Sequence, residues 1–146
     1  MELQITALQK GTVIDHIPSD KTMKIVELLN LVETKEKITV AFNIESRTQG
    51  KKGIIKIADR YLSESELEKI AILAEEATVN IIENFKVIDK KYMTLPEKLI
   101  NIIECANTKC ISNTENIPSK FELEDNNKLR CFYCERTVDK KEAIIK

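Results

Sequence analysis

All four cysteines of this chain fall in its last third, as Cys105-x4-Cys110 and, after 20 intervening residues, Cys131-x2-Cys134. Two short pairs separated by a loop let each pair grip one ion from a turn, and four sulfur donors make the tetrahedral set that Zn²⁺ takes in structural sites. The expectation is one structural zinc per chain, held by Cys105, Cys110, Cys131 and Cys134. Thiolates are the ligands, and Lys109, Arg130 and Arg136 beside them favour deprotonation. Two disulfides would demand an oxidising compartment, and the first residues carry no signal-peptide pattern. A redox Cys131-x2-Cys134 pair would leave Cys105 and Cys110 unexplained. Four sulfurs also close the coordination sphere, which leaves no position for the water that a metal hydrolase needs.

The cysteine distribution divides the 146 residues in two. Residues 1–92 have no cysteine and must fold on an apolar core, whereas residues 93–146 form a piece too small to rely on burial and depend on metal. The formal net charge is −1 with 32% charged residues, so no global field recruits nucleic acid or an anionic membrane. No run reaches the roughly 18 apolar residues of a membrane span. With cysteines suited to a reducing interior, the expected location is cytoplasmic.

Periodicity orders the first part as β, β, α, β, β, α, β, β. Leu3 to Leu8 and Thr12 to Ile17 read as strands around Lys10-Gly11. Ile25, Leu28, Leu29 and Val32 recur at helical spacing and predict a helix from Lys21 to Val32. Ile38, Val40, Phe42 and Ile44 alternate as one face of a strand, and a further strand covers Gly53 to Ile57. Ser63 and Glu66 form a capping box before a helix whose face is Leu67, Ile70, Ala71 and Ala74. Thr78 to Ile82 and Phe85 to Ile88 predict a closing hairpin, and Asp89 to Lys98 a linker. The fold class is α+β: a ferredoxin-like sandwich, an antiparallel sheet with two helices on one face, followed by a small β-rich zinc-binding domain.

Catalysis finds no support in these residues. The one histidine, His16, has no serine or cysteine nucleophile with a local signature near it, and beside Asp15 at a strand end it fits a turn cap. Neither glycine-rich phosphate loop occurs. Lys56 and Lys90-Lys91 stand in or after strands, where lysines either protect sheet edges or bring ammonium groups to a polyphosphate from separate segments. Asn80 is open to the same two readings. A four-cysteine knuckle flanked by Lys109, Lys120, Lys128, Arg130 and Arg136 also admits a nucleic-acid-binding zinc ribbon, against which the acidic Glu122-x-Glu124-Asp125 stretch counts.

Gly11-Thr12-Val13-Ile14-Asp15-His16-Ile17-Pro18, Ile55-Lys56-Ile57, Ala77-Thr78-Val79-Asn80, Leu95-Pro96 and the cysteine set together resemble the regulatory chain of aspartate carbamoyltransferase along essentially the whole sequence. The resemblance implies a non-catalytic subunit of pyrimidine biosynthesis. Its residues 1–92 would bind the nucleotide effectors CTP and ATP, with UTP a further candidate, and its residues 93–146 would dock on the catalytic chain. It also implies that regulatory dimers, paired through their nucleotide domains, bridge catalytic trimers. Carried over position by position, Ile5, Ala7 and Leu8 line the base pocket with Ile82 and Val87 opposite. Asp15 and His16 lie at the nucleotide, Lys56 reaches the sugar and base side, Asn80 stands in the pocket wall and Lys90 holds phosphate. Thr6 and Lys109 stand where family members can carry an acid and an asparagine.

Overall fold

The computed structural model describes residues 8–47 and 50–146. Its first part runs β1 (Gly11–Pro18), α1 (Thr22–Leu28), β2 (Ile38–Ser46), β3 (Gly50–Ala58), α2 (Glu64–Leu73), β4 (Thr78–Glu83) and β5 (Lys86–Tyr92). All pairings are antiparallel and the strand order is β2-β3-β1-β4-β5. The first four strands with their two helices make the ferredoxin-like arrangement, and β5 extends it at one edge. Of the expected first strand, Leu3 to Ala7 lies outside the described residues, and Leu8 lies in no strand.

Both helices cover one face of the sheet. Ile14, Ile55, Ile57 and Val79 point from the strands into a core completed by Ile25, Val26 and Leu29 of the α1 segment and Ile70 and Ala71 of α2. The capping box is present: Ser63 Oγ accepts from Glu66 N–H, and Glu66 Oε1 accepts from Ser63 N–H at 3.0 Å. Two glycines are required by close approach. A Cβ on Gly11 would sit 2.1 Å from the carbonyl oxygen of Ile57, and one on Gly53 would sit 1.9 Å from Thr22 Oγ1, where α1 begins.

Three expectations need correcting. The first helix stops at Leu28, not Val32, because Asn30 adopts a left-handed conformation (φ 53°) that ends it and turns Leu31 inward, leaving Val32 83% exposed. In β2 the alternation breaks at a bulge around Asn43 (φ 63°), which throws Phe42 outward. The expected linker from Asp89 is strand through Tyr92, and Met93 is buried in the first core while Leu95 packs against both cores. The β4–β5 hairpin closes through Asn84 and Phe85, both at positive φ, as a two-residue turn matching strand twist requires.

Beyond this, β6 (Lys98–Ile100), β7 (Ile103–Glu104), a single turn α3 (Ile111–Thr114), β8 (Lys120–Glu124), β9 (Lys128–Cys131), β10 (Thr137–Asp139) and β11 (Ile144–Ile145) build the second part. A four-stranded antiparallel sheet in the order β10-β9-β8-β6 lies beside a β7–β11 pair. Its core is Leu99, Ile102, Ile103, Phe121 and Leu129 with three of the cysteines, and it also takes in Ile72 from α2. Phe132, next to Cys131, is exposed.

Candidate functional site

The cysteine pairs meet. Each pair sits in a turn held by backbone bonds: Cys110 N–H donates to Asn107 O at 2.9 Å, and Glu135 N–H to Cys131 O at 2.9 Å. Glu135 takes a left-handed conformation (φ 63°) to close the second turn. The Asn113 side chain donates to the carbonyls of Cys105 and Asn107, both at 2.8 Å, and so ties the first turn to α3. All four Sγ atoms lie within 4.8 Å of one another, with Cys105–Cys134 at 3.6 Å and Cys110–Cys131 at 3.7 Å.

Those separations are the test of fit for a metal. A tetrahedron with metal–sulfur bonds of about 2.3 Å has sulfur–sulfur edges of roughly 3.8 Å, whereas a disulfide brings its sulfurs to about 2.05 Å. The four thiols therefore suit one ion and not two disulfides. Without the ion the cluster is electrostatically costly to ionise. Burial pushes Cys105 up to about 12 and also raises Cys131. Burial opposes ionisation of Cys134 as well, but the Arg136 backbone N–H, the Asn107 side chain and the neighbouring thiols bring it down to about 7. A divalent cation at the centre of the four sulfurs would offset the burial that opposes ionisation of Cys105 and Cys131. One of the knuckle's two arginines is engaged locally: Arg130 pairs with Glu122 at 3.5 Å and with Glu124 at 3.1 Å, which removes one guanidinium from any phosphate-binding stripe.

The helix-free face of the first sheet carries the other candidates. Register places Lys56 opposite Val13, Val13 opposite Asn80 and Asn80 opposite Lys90, so these four side chains form one row across β3, β1, β4 and β5. With strands about 4.8 Å apart, Lys56 and Lys90 stand roughly 14 Å from each other along that row. Ile82 and Val87 form the next cross-strand pair on the same face, and Asp15 pairs with Thr78 on the other side of the row. Lys56 lies on an interior strand, so the edge-protector reading does not apply to it, whereas Lys90 is on the edge strand β5.

Asp15 and His16 sit at a bulge in β1, where His16 has φ 58°. Asp15 Oδ1 accepts from the His16 backbone N–H at 2.7 Å and pairs with Lys52 Nζ at 3.0 Å, and His16 Nδ1 lies 3.1 Å from Thr78 Oγ1. The turn-cap role is thus present, and it aims the imidazole at the same face. Burial works against the Asp15 carboxylate, but Lys52 and the His16 N–H together hold it below its ordinary value. Burial lowers Lys56. Ile5 and Ala7 lie outside the described residues, and Leu8, half-buried, precedes β1. Sequence reasoning missed Lys52 and Thr78. Neither carries a local signal: the β1–β4 register brings Thr78 to Asp15, and Lys52 reaches Asp15 from β3 beside the β1 bulge.

Comparison with known proteins matches these two parts separately. Residues 3–94 match the family described as aspartate carbamoyltransferase regulatory chain, allosteric domain, and residues 97–144 match the same chain's metal binding domain. Aspartate carbamoyltransferase regulatory chains of Bacteroides thetaiotaomicron and Parabacteroides distasonis are 43% and 44% identical, covering 98% and 99% of this chain and 95% and 96% of theirs. That of Thermococcus sibiricus is 45% identical over 98% of this chain and 96% of its own. The chain belongs to the family of aspartate carbamoyltransferase regulatory chains, regulatory rather than catalytic subunits that join an allosteric domain to a metal-binding domain.

Proposed function

We propose that this chain is the effector-sensing subunit of an aspartate carbamoyltransferase in pyrimidine biosynthesis, with residues 1–92 as the nucleotide unit and residues 93–146 as the docking unit. The observation that carries the reading is the row Lys56–Val13–Asn80–Lys90, which offers two ammonium groups and an amide on one open sheet face. A nucleoside triphosphate such as CTP or ATP, with UTP a further candidate, lies along this row. Lys90 meets the phosphates, Lys56 the sugar and base side, and Asn80 forms the wall between them. Ile82, Val87 and the segment Ile5, Ala7 and Leu8 enclose the base, with Asp15 and His16 at the near end.

The four cysteines hold Zn²⁺, whose contribution is to fold the small unit around its sulfurs. That unit docks on catalytic trimers, and two regulatory chains pair through their nucleotide units in the cytoplasm. An effector alters catalysis by binding one quaternary state more tightly than another. Lys90→Ala tests the site by calorimetry with CTP. Losing a charge-assisted phosphate contact weakens binding about tenfold to hundredfold, with zinc content unchanged; unaltered affinity refutes the assignment.

A further inference from the structure

Lys140 is 92% buried away from solvent in the only sense that matters for a lysine: its side chain is 8% exposed, and its Nζ lies 2.5 Å from Glu75 Oε2, while Glu75 itself stays 56% exposed. Lysine is rarely buried unless paired, because removing an ammonium from water is costly. The two residues belong to different parts of the chain. Lys140 follows β10 in a single 3₁₀ turn of the metal unit, and Glu75 follows α2 in the first part. They meet over a cleft of about 500 Å³ that is also lined by Lys21, Ile72, Leu73 and Ile145.

The placement of Glu75 gives the pair its significance. The turn from Ala74 to Ala77 is closed by an Ala77 N–H to Ala74 O bond of 3.1 Å, and both alanines are buried. A turn pinned at both ends moves with what it is joined to. It runs directly into β4, whose Thr78 contacts His16 and whose Asn80 lies in the row between Val13 and Lys90. On the other side α2 places Ile72 in the core of the metal unit. Ile72 supplies apolar contact, which resists separation but is non-directional. A short ion pair with a buried ammonium fixes direction.

We infer that the Glu75–Lys140 ion pair is the grip that couples the effector sheet to the metal unit, so that a displacement of β4 on nucleotide binding turns the metal unit against the catalytic chain. This rests on the effector reading above. The test uses the holoenzyme reconstituted with Glu75→Gln, Lys140→Met and the double variant. Glu76→Gln, one residue on in the same turn, serves as a control. Each chain is assayed for zinc content, for calorimetric CTP affinity and for the CTP-induced change in carbamoyltransferase activity.

The grip predicts that Glu75→Gln and Lys140→Met keep zinc and bind CTP within about twofold of the native chain, yet lose most of the CTP response. The double variant loses no more than either single one, since both remove the same interaction, and Glu76→Gln responds normally. Glu75→Gln removes only a half-exposed carboxylate and keeps the test decisive if Lys140→Met does not fold. A full CTP response in Glu75→Gln beside a responsive native enzyme overturns the grip alone. A native holoenzyme that ignores every nucleotide refutes the effector reading, and the grip falls with it.

Discussion

Lys52 reaches across from β3 to hold Asp15 at 3.0 Å, although Lys52 is the cross-strand partner of Pro18, three residues further along β1. The bulge at His16 makes this possible by turning the Asp15 carboxylate toward β3 while its Oδ1 also caps the His16 N–H. Because the folded protein holds Asp15 below its ordinary value of 3.8, the carboxylate contributes stability that is fully present above that value. The contribution is lost as the pH falls from about 3.8 through the lower folded value. Urea midpoints of the native chain and Asp15→Asn therefore differ at pH 6, and the difference closes progressively below about pH 4. A constant difference down to pH 2.5 contradicts the ion-pair account.

Removing the metal has a local consequence. The second core is small and is built around Cys105, Cys110 and Cys131, so a strong chelator exposes Leu99, Ile103 and Leu129 to solvent. Amide hydrogen exchange reads this directly. Protection is lost along β8 and β9 while Ile14, Ile55 and Val79 in the first core keep theirs. Equal loss in both parts indicates a single cooperative unit instead.

How much of this was legible in the residues depended on whether the determining interaction was local. The capping box and the four-sulfur set each need only a few neighbouring residues and appear as read, whereas the β4–β5 hairpin turns through Asn84 and Phe85, so Phe85 lies in the turn and not in the strand expected for it. The end of α1 was misplaced because Val32 completes the helical spacing as well as any apolar residue. What overrides it is Asn30 taking φ 53°, and Leu31 then takes the core position. Phe42 was misassigned for a similar reason: period-two alternation cannot register a bulge that pairing with β3 imposes. In the site, Lys56, Asn80 and Lys90 were singled out one at a time, but their common row is a property of a strand register that runs through Val13 of β1, far from all three in sequence. Ile72 lay off the helical face that was read, because the partner it packs against belongs to the other part of the chain.

The contact between α1 and β3 is tight enough to test with one carbon atom. Gly53→Ala places a methyl group 1.9 Å from Thr22 Oγ1 and 2.9 Å from its Cβ, so the helix start must shift. Overpacking of this kind costs about 1–3 kcal/mol. Chemical denaturation shows a lowered midpoint with an unchanged slope, whereas Gly50→Ala, where no atom lies within 4 Å, meets only its own backbone preference at φ 79°.

Core position and exposed position separate cleanly in the first part. Ile55→Ala removes a fully buried side chain between β1, β2 and the helices and costs about 2–5 kcal/mol. Val32→Ala, despite its place in the apparent helical stripe, costs within about 0.5 kcal/mol because Val32 is exposed. Thermal unfolding of the two variants checks the reassignment of α1's end. Comparable losses contradict it.

The central claim is that this chain is a metal-folded coupler between a nucleotide and a separate catalytic subunit. Sedimentation of the zinc-loaded chain with purified aspartate carbamoyltransferase catalytic trimers, with and without CTP in a parallel activity assay, tests it most directly. The account predicts a complex heavier than either component, a catalytic activity that changes with CTP only in that complex, and loss of both on chelation. Trimers that sediment alone beside the zinc-loaded chain, or a complex that survives removal of the metal unchanged, contradict it.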